Sequence, residues 1–256
     1  MNKENKIYLQ ILELIEKEYD AKQSKQNYIV EEDIEFYNGK REITKEEIAK
    51  YFGNYKNINE VKKKGIQYYS KLPKEIKEYI KHCSKEVRQA IGFALIGKPV
   101  KILTGKEFQK DGIKLTIKVP KYYKEKYGGK VINKELGKVS LDLESVKDDI
   151  AHGIGSLKAS AFIAVPEVIM YGKIFDRQKN WKNRCWDTFV IIAPIKIGDR
   201  RYIEEIIIKK DSHRQGLYLH EIEIKKRLED FIKTYADENH PLGHPPISKL
   251  IIAKKI

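Results

Sequence analysis

The chain has 256 residues, with 51 Lys and Arg against 37 Asp and Glu, for a formal charge of +14. With 41% hydrophobic residues it can bury a real core, which excludes wholesale disorder. Two cysteines about a hundred residues apart exclude a disulfide framework and a CxxC metal pair, and fit a reducing cytosol. The positive excess points to a polyanion such as nucleic acid, though a Lys-, Ile- and Tyr-rich composition also contributes to it. The polar start and the mixed stretch Ile7 to Tyr19 lack a signal peptide's apolar core. No run approaches the ~20 apolar residues of a membrane span, so a cytoplasmic protein with no membrane partner is expected.

Ile7, Ile11, Leu14 and Ile15 follow helical spacing and predict an amphipathic helix over about residues 4 to 20. Asn27 to Tyr37 is ambiguous. Thr44 with Glu47 forms a capping box that opens a short helix, which Gly53 can close. Pro73 sits where a first-turn proline belongs. Ser84 can cap a further helix with Val87, Ile91 and Leu95 on one face, ending near Gly97 and Pro99. Beyond Pro99 the period changes. Val100 to Leu103 and Ile113 to Val119 alternate like strands, with Pro120 ending the second, and Lys121 to Tyr127 reads as a basic helix or loop. Val139 to Leu143 alternates again. Leu157 to Val165 reads as a helix, and Pro166 opens another that Gly172 closes. Thr188 to Ile197, Arg200 to Lys210 and Leu217 to Ile224 predict an antiparallel meander. A helix over Lys225 to Tyr235 and a terminal strand over Lys249 to Ile256 follow. The fold class is α+β: a helical region over 1–98, then helices packed on an antiparallel sheet over 99–256. More of the basic excess falls in the second region, so a polyanion site belongs there.

His152-Gly153-Ile154-Gly155-Ser156 precedes a predicted helix. Its glycines and Ser156 can present backbone N–H groups to an anion, with His152 exchanging a proton and Lys158 neutralising charge one turn on. The same residues fit a plain turn with a Ser cap. In Leu217 to Ile222, period two places Tyr218, His220 and Ile222 on one face and Leu219 and Glu221 on the other. His220 and Glu221 should therefore not share a site unless a bulge intervenes. His220 with Tyr218 can act as a general acid–base pair, or His220 can be structural. Trp181, Lys182, Arg184 and Trp186 interleave rings with cations, as in base stacking with phosphate contact, or as a loop pinned to the core. Arg214 can reach a phosphate from a hairpin loop, or belong to a solvated loop with no ligand. His240 and His244 lie four apart, but Pro241, Pro245 and Pro246 forbid the helix that would align them on zinc.

The run from Gly137 through "GKVSLDLESVKDDIAHGIGSLKASAFIAVPEVIMYGK" to "DTFVIIAP" and "YLHE" resembles the barnase–EndoU–colicin–RelE type nuclease modules of phage and mobile-element polyvalent proteins. The likeness covers about residues 128 to 228. It implies a small domain of helices followed by an antiparallel sheet, with ribonuclease or toxin activity. By matching position it implies roles for His152, Tyr218, His220 and Glu221, and for Lys158 and Arg184. The expected function is a metal-independent endoribonuclease acting through the 2′-hydroxyl, with no cofactor. Expected partners are RNA and an immunity or antitoxin protein. The alternative is a non-catalytic nucleic-acid-binding or virion-associated protein on the same scaffold.

Overall fold

The computed structural model describes residues 3–23, 43–108, 112–141, 146, 156–179, 186–211 and 216–236. Asn27 to Tyr37 and the expected terminal strand over Lys249 to Ile256 lie outside the described residues. The chain divides into two compact units, one covering Met1–Lys98 and the other Pro99–Tyr235.

The first unit is helical. α1 (Lys3–Gln23), α2 (Lys45–Tyr51), α3 (Ile58–Ser70), α4 (Lys74–His82) and α5 (Lys85–Ile96) follow one another. The Thr44–Glu47 capping box forms in both directions, and the Ser84 hydroxyl accepts from Val87 N–H. Ile7, Ile11, Leu12 and Ile15 are buried on α1, which packs on α3 and α5. Gly92 lets α5 approach α1 closely: a Cβ there would stand 2.6 Å from the Tyr8 carbonyl oxygen. Glu16 and Arg88 form a largely buried ion pair between α1 and α5. Burial outweighs the pull of the guanidinium and pushes the Glu16 carboxyl up to about 7.

The second unit is α+β. In chain order it has β1 (Lys101–Leu103), α6 (Leu115–Tyr127), β2 (Lys130–Asn133), β3 (Gly137–Ser140), α7 (Ser156–Ala161), α8 (Val165–Tyr171), β4 (Lys173–Gln178), β5 (Trp186–Ile197), β6 (Arg200–Asp211), β7 (Gly216–Lys225) and α9 (Leu228–Ala236). The β5–β6–β7 meander forms as its short turns predict, antiparallel throughout. The full sheet is mixed, however, in the order β1-β5-β6-β7-β3-β2, with β4 also on β5. β1 runs parallel to β5 and β3 runs parallel to β7, which corrects the expectation of an antiparallel sheet. These pairs join segments far apart in sequence, and no local signal sets their direction.

A second correction concerns Ile113 to Val119. The alternation there suggests a strand, but Leu115 onward is helix α6, with Pro120 inside it. The buried residues are Val119 and Tyr123, four apart, while Ile113 and Ile117 are exposed. The Tyr123 hydroxyl donates to the Phe162 carbonyl at 2.7 Å. This tertiary anchoring decides the conformation over the local pattern and the lost proline N–H. Gly128 closes the helix at φ +63°, in the left-handed region that glycine favours. β2 and β4 are strands that the sequence reading leaves out; both are short, and β4 carries an irregularity between Ile174 and Asp176.

Residues directly opposite one another in the ladder share a face. Ile191, Ile206 and Ile222 pair across β5, β6 and β7, and all three are buried. This is the face on which α8 packs, reaching β2, β5 and β6. The opposite face carries Ile102 at one end and Ile132 at the other, which are 67% and 70% exposed. The outer strands are thus open on that side.

Candidate functional site

The decisive local feature is a β-bulge in β7. Ile207 of β6 pairs with Glu221, but its neighbour Ile208 pairs with Leu219, so His220 is an inserted residue. Alternation counted forward from buried Leu219 puts His220 on the opposite face. Counted back from buried Ile222 it puts Glu221 there too. The unbroken period predicted Ile222 on the face of Tyr218 and Glu221 away from it. Both assignments are corrected: Leu219 and Ile222 lie on the face that α8 covers, while Tyr218, His220 and Glu221 share the other side. All three are half-buried.

Cross-strand register extends the site. Tyr218 stands between Ser140 of β3 and Lys209 of β6, and Lys209 pairs onward with Thr188 of β5. The Lys209 ammonium lies 4.2 Å from the centre of the Trp186 ring, one step along the same face. In the next row Glu221 is followed by Ile207, Val190 and then Asp176 of β4. Burial pushes the Asp176 carboxyl up to about 6, against hydrogen bonds from the Arg177 backbone and the Gln178 side chain that favour its charged form. Beyond lies Glu205, pushed up to about 8 by burial and by repulsion from Glu223 and Glu221, against the pull of Lys225. The influence of Glu221 on Glu205 agrees with a shared face.

Lys158 is half-buried on α7, an element that packs against β7. Ser156 begins the same helix. His152, Gly153, Gly155, Trp181, Lys182, Arg184 and Arg214 lie outside the described residues. Lys209, Asp176 and Glu205 are additions that sequence reasoning missed. They sit in strands of mixed polarity, and only the register shows that they share a face with Tyr218. The arrangement combines a phenol, an imidazole, a carboxylate and a lysine, a set able to move protons and to balance negative charge. Among the described residues no group of three or more His, Cys, Asp and Glu is placed to hold a metal ion. No helix among them is long and apolar enough to cross a membrane.

Searches of curated proteins and of solved structures find no match. Residues 110–219, from just before α6 to the Leu219 position that precedes the bulge, match the model of the family described as large polyvalent protein-associated domain 3, and this segment of the chain is similar to that family.

Proposed function

We propose that the bulged face of β7 is the reactive site of a metal-independent endoribonuclease. The observation that carries this reading is the insertion of His220, which gathers Tyr218, His220 and Glu221 on one side of the sheet beside Lys209. The likeness of residues 128–228 to barnase–EndoU–colicin–RelE type modules supports it, and the match to a polyvalent-protein-associated domain supports the phage or mobile-element setting.

In the proposed reaction a base takes the proton of a ribose 2′-hydroxyl. The 2′ oxygen attacks the adjacent phosphorus, and the P–O5′ bond breaks as an acid protonates the leaving 5′ oxygen. The products are a 2′,3′-cyclic phosphate and a 5′-hydroxyl. His220 and His152 serve as acid and base, and Tyr218 orients the phosphate or donates to it. Lys158, Lys209 and Arg184 balance the charge on the phosphorane. Glu221 sets the orientation of His220. Gly153, Gly155 and Ser156 offer backbone donors, and Trp181, Lys182 and Arg214 hold the flanking strand. The chemistry is assigned to residues 99–256, the partner is RNA together with a protein inhibitor, and the setting is a phage or mobile element in a host cytoplasm.

A strand with a single 2′-deoxy residue tests this chemistry. The all-RNA strand should be cut and the same strand should resist at the deoxy position while binding equally well. Cleavage at that position would overturn the 2′-hydroxyl mechanism. Salt-sensitive binding of both strands without cleavage would favour the non-catalytic alternative.

A further inference from the structure

The helix-covered face holds a second group of ionisable side chains, on the other side of the sheet from the β7 bulge. Glu204 of β6 is fully buried between Ala193 of β5 and Ile224 of β7, neither of which offers its carboxyl a side-chain donor. Neither of its carboxyl oxygens has a hydrogen-bond partner among the described residues. Over it, α8 brings Glu167, the charged group whose field Glu204 feels. One oxygen of Glu167 accepts from Lys101 of β1 and from the Tyr127 hydroxyl of α6, the latter at 3.0 Å. Its other oxygen is buried and has no partner among the described residues. α6 also contributes Lys126, whose ammonium donates to the Tyr122 hydroxyl at 3.3 Å. Among the described residues, Lys101, Lys126 and Tyr127 act on Glu167, and Tyr122 is bonded to Lys126 and Tyr127 behind them.

Three buried carboxyl oxygens therefore lack a donor among the described residues. Leaving both groups ionised would set two negative charges against each other in an apolar interior. A proton on Glu204 removes one of these two charges. We propose that Glu204 stays protonated in the folded chain, so that the packing of α8 and its Glu167 on β6 is intact while that proton is held and is weakened by a buried negative charge when it leaves. Burial and the nearby Glu167 raise the Glu204 carboxyl well above its ordinary range. The folded chain then keeps a proton that the unfolded chain releases. The contribution is intact in acid, below the unfolded carboxyl's range, and declines as pH climbs from there toward the raised folded value.

Glu204→Gln keeps the shape and an N–H donor but has no proton to lose. Its urea midpoint should meet that of the wild type near about pH 5 and exceed it increasingly toward about pH 9. The infrared band of a protonated carboxyl should be present in the wild type at neutral pH and weaker by one group in the variant. Glu204→Met, which fills similar volume without a polar atom, is the second variant, expected to lose the same band and flatten the same slope. Parallel pH curves with an undiminished band in whichever variant folds would overturn the proposal.

Discussion

Replacing His220 with alanine is expected to slow RNA cleavage by about 10²- to 10⁴-fold, the usual contribution of a positioned acid or base. The fold should survive. His220 is half-buried and is the inserted residue of the bulge, so it stands outside the regular pairing that Ile207 makes with Glu221 and Ile208 with Leu219. The strand is held instead by fully buried Leu219 and Ile222 on its other side. Tyr218→Phe is the companion variant. It keeps the ring beside Lys209 and removes only the hydroxyl, so it should lower turnover while leaving binding nearly unchanged. Turnover of a short RNA, with circular dichroism as the control for folding, checks both. Unchanged turnover in His220→Ala would remove this residue from the mechanism.

Gly172→Ala should destabilise the second unit by about 3 kcal/mol, at the upper end of what overpacking costs. Gly172 is the residue at which α8 turns directly into β4 against β5. A Cβ there would stand 2.6 Å from Ile191 Cγ2 and 3.0 Å from the Ile192 carbonyl oxygen, and closer still to the Val168 carbonyl oxygen. Two of these three atoms are backbone. The first belongs to the helix end that Gly172 caps and the second to the central strand, so neither can move cheaply. Gly216 is the matched control. A Cβ there meets nothing within 4 Å among the described residues, and Gly216→Ala should change stability by no more than about 0.5 kcal/mol. Equilibrium urea denaturation of the two variants checks the contrast, and equal midpoints would contradict the packing described for α8.

Much of the fold was legible where its signals are local. Thr44 and Glu47 announce α2, Ser84 announces α5, and the short turns between apolar runs announce the β5–β6–β7 meander. Legibility failed where a distant partner decides. Leu115 to Val119 looks like a strand until Tyr123 is seen bonded to the Phe162 carbonyl, and nothing local in Lys101 to Leu103 says that it will lie parallel to β5. The site shows the same division. Tyr218, His220 and Glu221 stand out by residue type, but period two separates His220 from Glu221. The condition that reunites them, a bulge, is set by how β7 meets β6 and is invisible in the strand's own sequence. Lys209 and Glu205 of β6 and Asp176 of β4 join only through register, since they lie on strands other than β7.

Cleavage of RNA at this bulged face is proposed to need no metal ion. Its most direct test is incubation of the purified chain and of the His152→Ala/His220→Ala double variant with total RNA in EDTA, followed by analysis of fragment ends. Fragments with 2′,3′-cyclic phosphate ends are expected from the wild type and none from the variant. Intact RNA with the wild type, or equal cleavage by both proteins, would contradict it.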